Sequence, residues 1–298
     1  MNFKRREWIH LATAALCGCK EQKVAPAANP PAIANHCPFS VEIPPAWIAS
    51  SRIEKVPTKP VYTREELEGV LRDEQNGNVP TAYKPGYFNR PQHWAIRLPA
   101  ATPEGIPINH EDPDDDPAAA QILIHKAHEW GAIWEDGIKG REETPEFLRT
   151  FRREMDEAAG GGDDLVSPAY MDAFTGFRCL KKRVDFQGGH GTRMLAQWMF
   201  DTDLVRKGRL HYVFLGLSDD DSCQIIATFP VDLPGLPNDE IEAEHLGHSL
   251  ERYDALNRQF ASYERDAVAW LEQHANEITP SLEVLDKLIR SLVVRRWE

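Results

Sequence analysis

Two His-x-x-His pairs are the residues in this chain best suited to metal or acid–base chemistry: His125-Lys126-Ala127-His128 and His245-Leu246-Gly247-His248. Side chains three apart share a face on a helix, and two imidazoles so placed can hold one Zn²⁺. The second pair falls where a helix is expected to begin. His245 and His248 are therefore the candidate metal ligands, and they support one reading of the chain as a metal-dependent hydrolase. The first pair follows a strand, where residues i and i+3 point to opposite faces, and makes a poor chelate. Glu244 precedes His245, but no His-Glu-x-x-His motif occurs.

Other motifs offer less. Gly188-Gly189-His190-Gly191 reads as a hairpin turn with an exposed histidine, because a phosphate loop needs a following helix and Thr192–Phe200 reads as a strand. The acidic stretches Glu111–Asp116 and Asp219–Asp221 lack the Gly and distal Glu of a calcium loop. No G-x-S-x-G is present, and Cys223 lacks the local signature of a catalytic thiol. No catalytic residue and no cofactor are assigned.

The elements that must position these residues centre on Gly176–Val231. Four short apolar segments, Phe177–Phe186, Thr192–Phe200, Leu210–Leu217 and Gln224–Val231, are separated by turn residues and predict an antiparallel meander. Trp198, Phe214 and Phe229 on these segments form the candidate ligand face. Further strands are expected at Phe39–Ile43, where Pro44-Pro45 stops the alternation, and at His93–Leu98 and Gln121–Ala127. Thr63-Arg64-Glu65-Glu66 is a capping box that opens a helix over 64–75. Thr144-Pro145 opens another, with Phe147, Leu148, Phe151 and Met155 on its buried face.

From Asp239 to Ile278 apolar residues recur every three or four positions, from Leu246 and Leu250 to Trp270 and Leu271, which predicts a long amphipathic helix. Thr279-Pro280 restarts a second helix with Leu282, Leu285, Leu288 and Leu292 on one face. The fold class is α+β: an antiparallel sheet flanked by helices, with a long C-terminal helical hairpin. That hairpin packs on the sheet or on itself, or leaves the Leu246–Leu271 seam for a partner in assembly.

The first 36 residues have a different character. Met1–Cys19 has a basic start (Lys4, Arg5, Arg6) and a short apolar stretch, Trp8–Cys17, too short to span a bilayer. Leu16-Cys17-Gly18-Cys19 resembles a bacterial lipobox, with Leu at −3, a small residue at −1 and Cys19 as the lipidated residue. Arg5-Arg6-Glu7-Trp8-Ile9 also resembles a twin-arginine export signal, so the export route is left open. Lys20–Asn35 is rich in Pro and Ala without periodicity, as in an extended spacer. The expected organisation is a signal over 1–19, a linker over 20–36, an α+β domain over 37–237, and C-terminal helices over 238–298 packing on it.

This arrangement implies a protein of the bacterial cell envelope, held to the membrane by lipid and facing the periplasm or the exterior. Of the remaining cysteines, Cys179 and Cys223 lie on expected strands of one sheet. Either two of the three pair, or Cys37, Cys179 and Cys223 are all small buried hydrophobes. The net charge of −13 is repelled by nucleic acid and by anionic lipid, and neither is expected as a partner of the bulk surface. Another envelope protein remains as a partner class.

Phe39–Trp47, with Ile43-Pro44-Pro45-Ala46-Trp47, is similar to the opening strand and turn of PsbP-like domains, and Leu210–Pro230 resembles their penultimate hairpin. The resemblance covers about Phe39–Leu271. It implies an α/β/α sandwich and a non-enzymatic binding or assembly role, in a family whose bacterial members are often lipoproteins. The acidic insert at Ala100–Pro117 and the long C-terminal helices depart from its pattern.

Overall fold

The computed structural model describes residues 37–57, 72, 76–77, 91–99, 119–129, 148–149, 151–153, 155–156, 174–199, 202–238 and 243–297. The export segment with Cys19, the linker, the acidic insert and nearly all of the expected 64–75 helix lie outside the described residues.

Seven strands form one antiparallel sheet: β2 (Arg52–Val56), β3 (His93–Arg97), β4 (Gln121–Lys126), β5 (Phe174–Phe186), β6 (Gly189–Met199), β7 (His211–Ser218) and β8 (Cys223–Pro230). Their spatial order is β2-β3-β4-β8-β7-β6-β5. β5 to β8 form the expected meander, with β5 at the sheet edge. A two-residue strand β1 (Phe39–Ser40) pairs with a C-terminal β11 (Val293–Val294), so the first and last described strands meet. Of the strand expected over Phe39–Ile43 only these two residues are paired, and the chain stops at the prolines as expected, where Pro45 starts a short helix α1 (Pro45–Ile48).

The period-two alternation of the strands creates two buried layers. On one face Ile122, Ile225, Phe214 and Leu195 pack with Tyr263, Leu271, Leu285 and Ile289 of the C-terminal helices. On the other, Leu123, Ile226, Val213, Met194 and Trp198 pack with Phe151 and Met155, whose segment is helical as expected. Each large side chain buried this way contributes about 1.5–3 kcal/mol.

The helices α2 (Tyr253–Gln273) and α3 (Leu282–Arg290) follow one another and both pack on β5. α3 is capped by Ser281, whose hydroxyl accepts from the Val284 N–H at 3.4 Å. The α2 seam is covered: Leu256, Tyr263, Ala267 and Leu271 are buried against the sheet. These four positions are closed to a partner helix, and the C-terminal helices pack on the sheet as expected, while Leu246 at the start of the seam is exposed. Among the described residues, no helix is long and apolar enough to cross a membrane.

The long helix starts later than the sequence spacing predicts. Glu244–His245 (β9) and His248–Ser249 (β10) form a small hairpin around Leu246 (φ +51°) and Gly247 (φ +77°). Two positive φ values at the turn are the geometry that a two-residue hairpin favours and a helix forbids. Leu246 and Leu250 happened to continue the helical spacing.

The glycine turn is also tighter than expected. Gly188, at φ +94°, makes the turn, while Gly189, His190 and Gly191 belong to β6. Gly191 stands opposite Gly216, and the Phe214 ring occupies the space that their side chains would fill. A Cβ at Gly191 would come 2.5 Å from the Phe214 ring and closer still to the Leu215 carbonyl oxygen. Gly191→Ala is expected to lower the unfolding free energy by about 1–3 kcal/mol through overpacking. An unchanged urea midpoint in that variant would contradict this packing.

Candidate functional site

The edge strand β5 is irregular where it meets α2. Its register with β6 shifts between Cys179 and Lys182, and Leu180 takes φ +52°, a conformation costly for a branched side chain. The strain is held by Arg193 of β6, whose guanidinium donates to the Leu180 carbonyl. Arg193 Nε also lies 3.3 Å from Asp286 of α3. Asp286 is the hub of a cluster. The Tyr212 hydroxyl donates to its Oδ1 at 3.1 Å, Lys182 Nζ donates to Oδ2 at 3.2 Å, and Arg290 Nη2 lies 3.6 Å from Oδ2. Burial, and then Asp286, hold the Tyr212 hydroxyl well above its ordinary pKa, so it keeps the proton that it donates to Asp286.

Beside this bulge an open cleft of about 740 Å³ runs between β5 and α2. Arg178 and Lys181 line the strand side, and Glu264, Arg265 and Glu272 line the helix side. Glu264, Val268 and Glu272 repeat every four residues, so they share a helix face about 12 Å long. Cys179 is on the cleft floor. Burial, and then Glu272, push its thiol up to about 12, so it supplies packing and not a nucleophile.

The histidine pairs behave differently from what their spacing predicts. His245 is buried and His248 half-buried, opposite each other on the small hairpin and both edge-to-face with Tyr263. The Val205 N–H donates to Tyr263 Oη at 2.7 Å, and that hydroxyl lies 3.0 Å from His245 Nδ1. That hydroxyl donates to Nδ1 or accepts from it, according to the tautomer of the imidazole. A metal at Nδ1 would have to displace Tyr263. Among the described residues, no group of three or more His, Cys, Asp or Glu side chains is placed to hold a metal ion.

His125 does not meet His128, which is exposed in the turn after β4. It stacks instead on His93 of the neighbouring strand, with ring centroids 4.6 Å apart. His93 Nδ1–H donates to the Pro91 carbonyl at 2.9 Å. With Gln224, the next residue in register, these form a buried polar row on the Trp198 side of the sheet. The inward parity of His93 on its strand is the sequence signal for this row, which the His-x-x-His spacing does not contain.

The candidate ligand face is divided. Trp198 packs on one face, while Phe214 and Phe229 are in the core under the helices on the other. The three residues therefore line no common surface, because alternation along β6, β7 and β8 sends them to opposite sides. The acidic turn is internally occupied. Asp220 accepts from both Ser218 and Ser222, and Asp221 pairs with Arg152. Cys179 and Cys223 are on β5 and β8, with β6 and β7 between them. Strands about 4.8 Å apart put such residues far beyond disulfide reach, and all three described cysteines are free and buried.

No family model matches the chain, no curated protein is similar to it, and no solved structure matches it.

Proposed function

We propose that this chain is a lipid-anchored protein of the bacterial cell envelope whose α+β domain binds a ligand or partner through the β5 edge. One observation carries the reading: Leu16-Cys17-Gly18-Cys19 resembles a lipobox with Cys19 at the lipidated position, and a Pro/Ala-rich spacer separates it from the first strand at Phe39. An extended spacer of this length reaches about 50 Å, enough to hold a domain clear of the bilayer. Burial pushes the thiols of Cys37, Cys179 and Cys223 upward, which suits free cysteines to an oxidising compartment. The cleft beside β5 presents fixed charges of both signs over an apolar floor, as binding sites do. The PsbP-like resemblance supports a binding or assembly role.

Cys19→Ala is expected to move the protein from the membrane fraction to the soluble fraction, with the unfolding midpoint of the domain unchanged. Retention of Cys19→Ala in salt-washed membranes would sink the anchor.

A further inference from the structure

The charges around Asp286 do not balance. Lys182, Arg193 and Arg290 all meet this one carboxylate, and among the described residues no second carboxylate pairs with any of the three. Arg183, the next cation along β5, is already paired with Asp185 at 2.9 Å. The cluster therefore holds a surplus of two positive charges in a protein whose net charge is −13. Arg193 and Asp286 are buried at 8% and 3% exposure, so part of that surplus is screened poorly by water.

The two outer cations are reachable. The side chains of Lys182 and Arg290 are 50% and 47% exposed. Both heads lie on the same oxygen, Asp286 Oδ2, at 3.2 and 3.6 Å, which keeps them within about 7 Å of each other. A phosphate accepting at about 2.8 Å from each side spans about 8 Å from donor to donor. One tetrahedral anion can therefore meet both heads without displacing Asp286 from Arg193 and Tyr212. A guanidinium fork beside an ammonium is also a common donor set for phosphate.

We infer that Lys182 and Arg290, at the β5 edge, bind a phosphate-type dianion. This names the chemistry of the ligand for the β5 edge and rests on reading that edge as the binding face. It does not depend on the lipid anchor, so the fractionation of Cys19→Ala and the binding test below fail separately. A dianion matches the surplus of two charges, whereas a single carboxylate would leave one unbalanced. A phosphate monoester in solution and the phosphate monoester headgroup of a lipid share this chemistry.

The test is thermal unfolding of the full chain carrying Cys19→Ala in 20 mM inorganic phosphate against chloride at equal ionic strength. Phosphate should raise Tm by about 4 °C, as expected for occupancy well above Kd in a domain of this size. Phosphate also stabilises proteins through general exclusion from their surface. Lys182→Gln with Arg290→Gln subtracts that effect and should lose most of the shift, while Arg183→Gln should keep it. If the double variant folds poorly, ³¹P line broadening of phosphate by the parent chain and by Arg290→Gln alone reads the same contact. Sedimentation with phosphatidylcholine vesicles containing phosphatidic acid then separates the sources. Vesicle binding competed by free phosphate assigns a lipid headgroup, and a phosphate shift without vesicle binding assigns a soluble phosphoester. No shift beyond chloride, or an equal shift in the double variant, overturns the proposal.

Discussion

Replacing Asp286 by alanine will lower the unfolding free energy by about 3–5 kcal/mol. The carboxylate is buried on α3 and is the acid that Arg193, Lys182 and Arg290 share. Without it Arg193 stays buried at 8% exposure with its charge facing the Leu180 carbonyl and no carboxylate among the described residues, and Tyr212 loses the acceptor of its hydroxyl. An unpaired buried charge costs far more than a lost surface ion pair. The loss should be smaller in Asp286→Asn, which keeps an acceptor for Tyr212. Urea denaturation of both variants checks this, and equal midpoints for Asp286→Ala and the parent would remove the cluster from the account of the fold. The consequence reaches the cleft, since Arg193 fixes the Leu180 bulge that shapes it.

Acid will unfold the protein more readily than its carboxylates alone would require. His211 is 1% exposed, and burial lowers its pKa to about 4, with the Arg209 backbone pulling slightly the other way. His245 is lowered to about 4 by burial and then by the neighbouring His248. An unfolded histidine titrates near 6.5. Between pH of about 6.5 and about 4 the unfolded chain therefore takes up protons that the folded chain refuses. Stability is fully present above about pH 6.5 and falls as the pH drops toward 4, by roughly 3 kcal/mol for each of the two residues. Urea unfolding at a series of pH values should show this slope. His211→Gln should reduce it by up to one proton, and an unchanged slope in that variant would show that His211 is not held neutral by the fold.

The meander was legible because its segments are apolar, of strand length and separated by turn residues, and the body of the long C-terminal helix followed from its three-and-four spacing. The edge strand β2 was missed because Arg52–Val56 is short and mostly polar-flanked. The late start of α2 was missed because Leu246 and Leu250 fall by chance at helical intervals, and only the left-handed turn at Leu246 and Gly247 breaks the pattern. The candidate site was the least legible part. The bulge at Leu180 is caused by Arg193, 13 residues later, and Asp286, over a hundred residues later. No local window contains that cause. The ligand face assigned to Trp198, Phe214 and Phe229 failed on strand parity, which a list of aromatic residues does not encode.

The central claim is that this domain is tethered through Cys19. Mass spectrometry of the amino-terminal peptide of the membrane-extracted protein tests it most directly. The account predicts a peptide that begins at Cys19, with Met1–Gly18 removed and the cysteine carrying acyl chains. A peptide that retains residues before Cys19, or one that begins at Cys19 with an unmodified thiol, would contradict it.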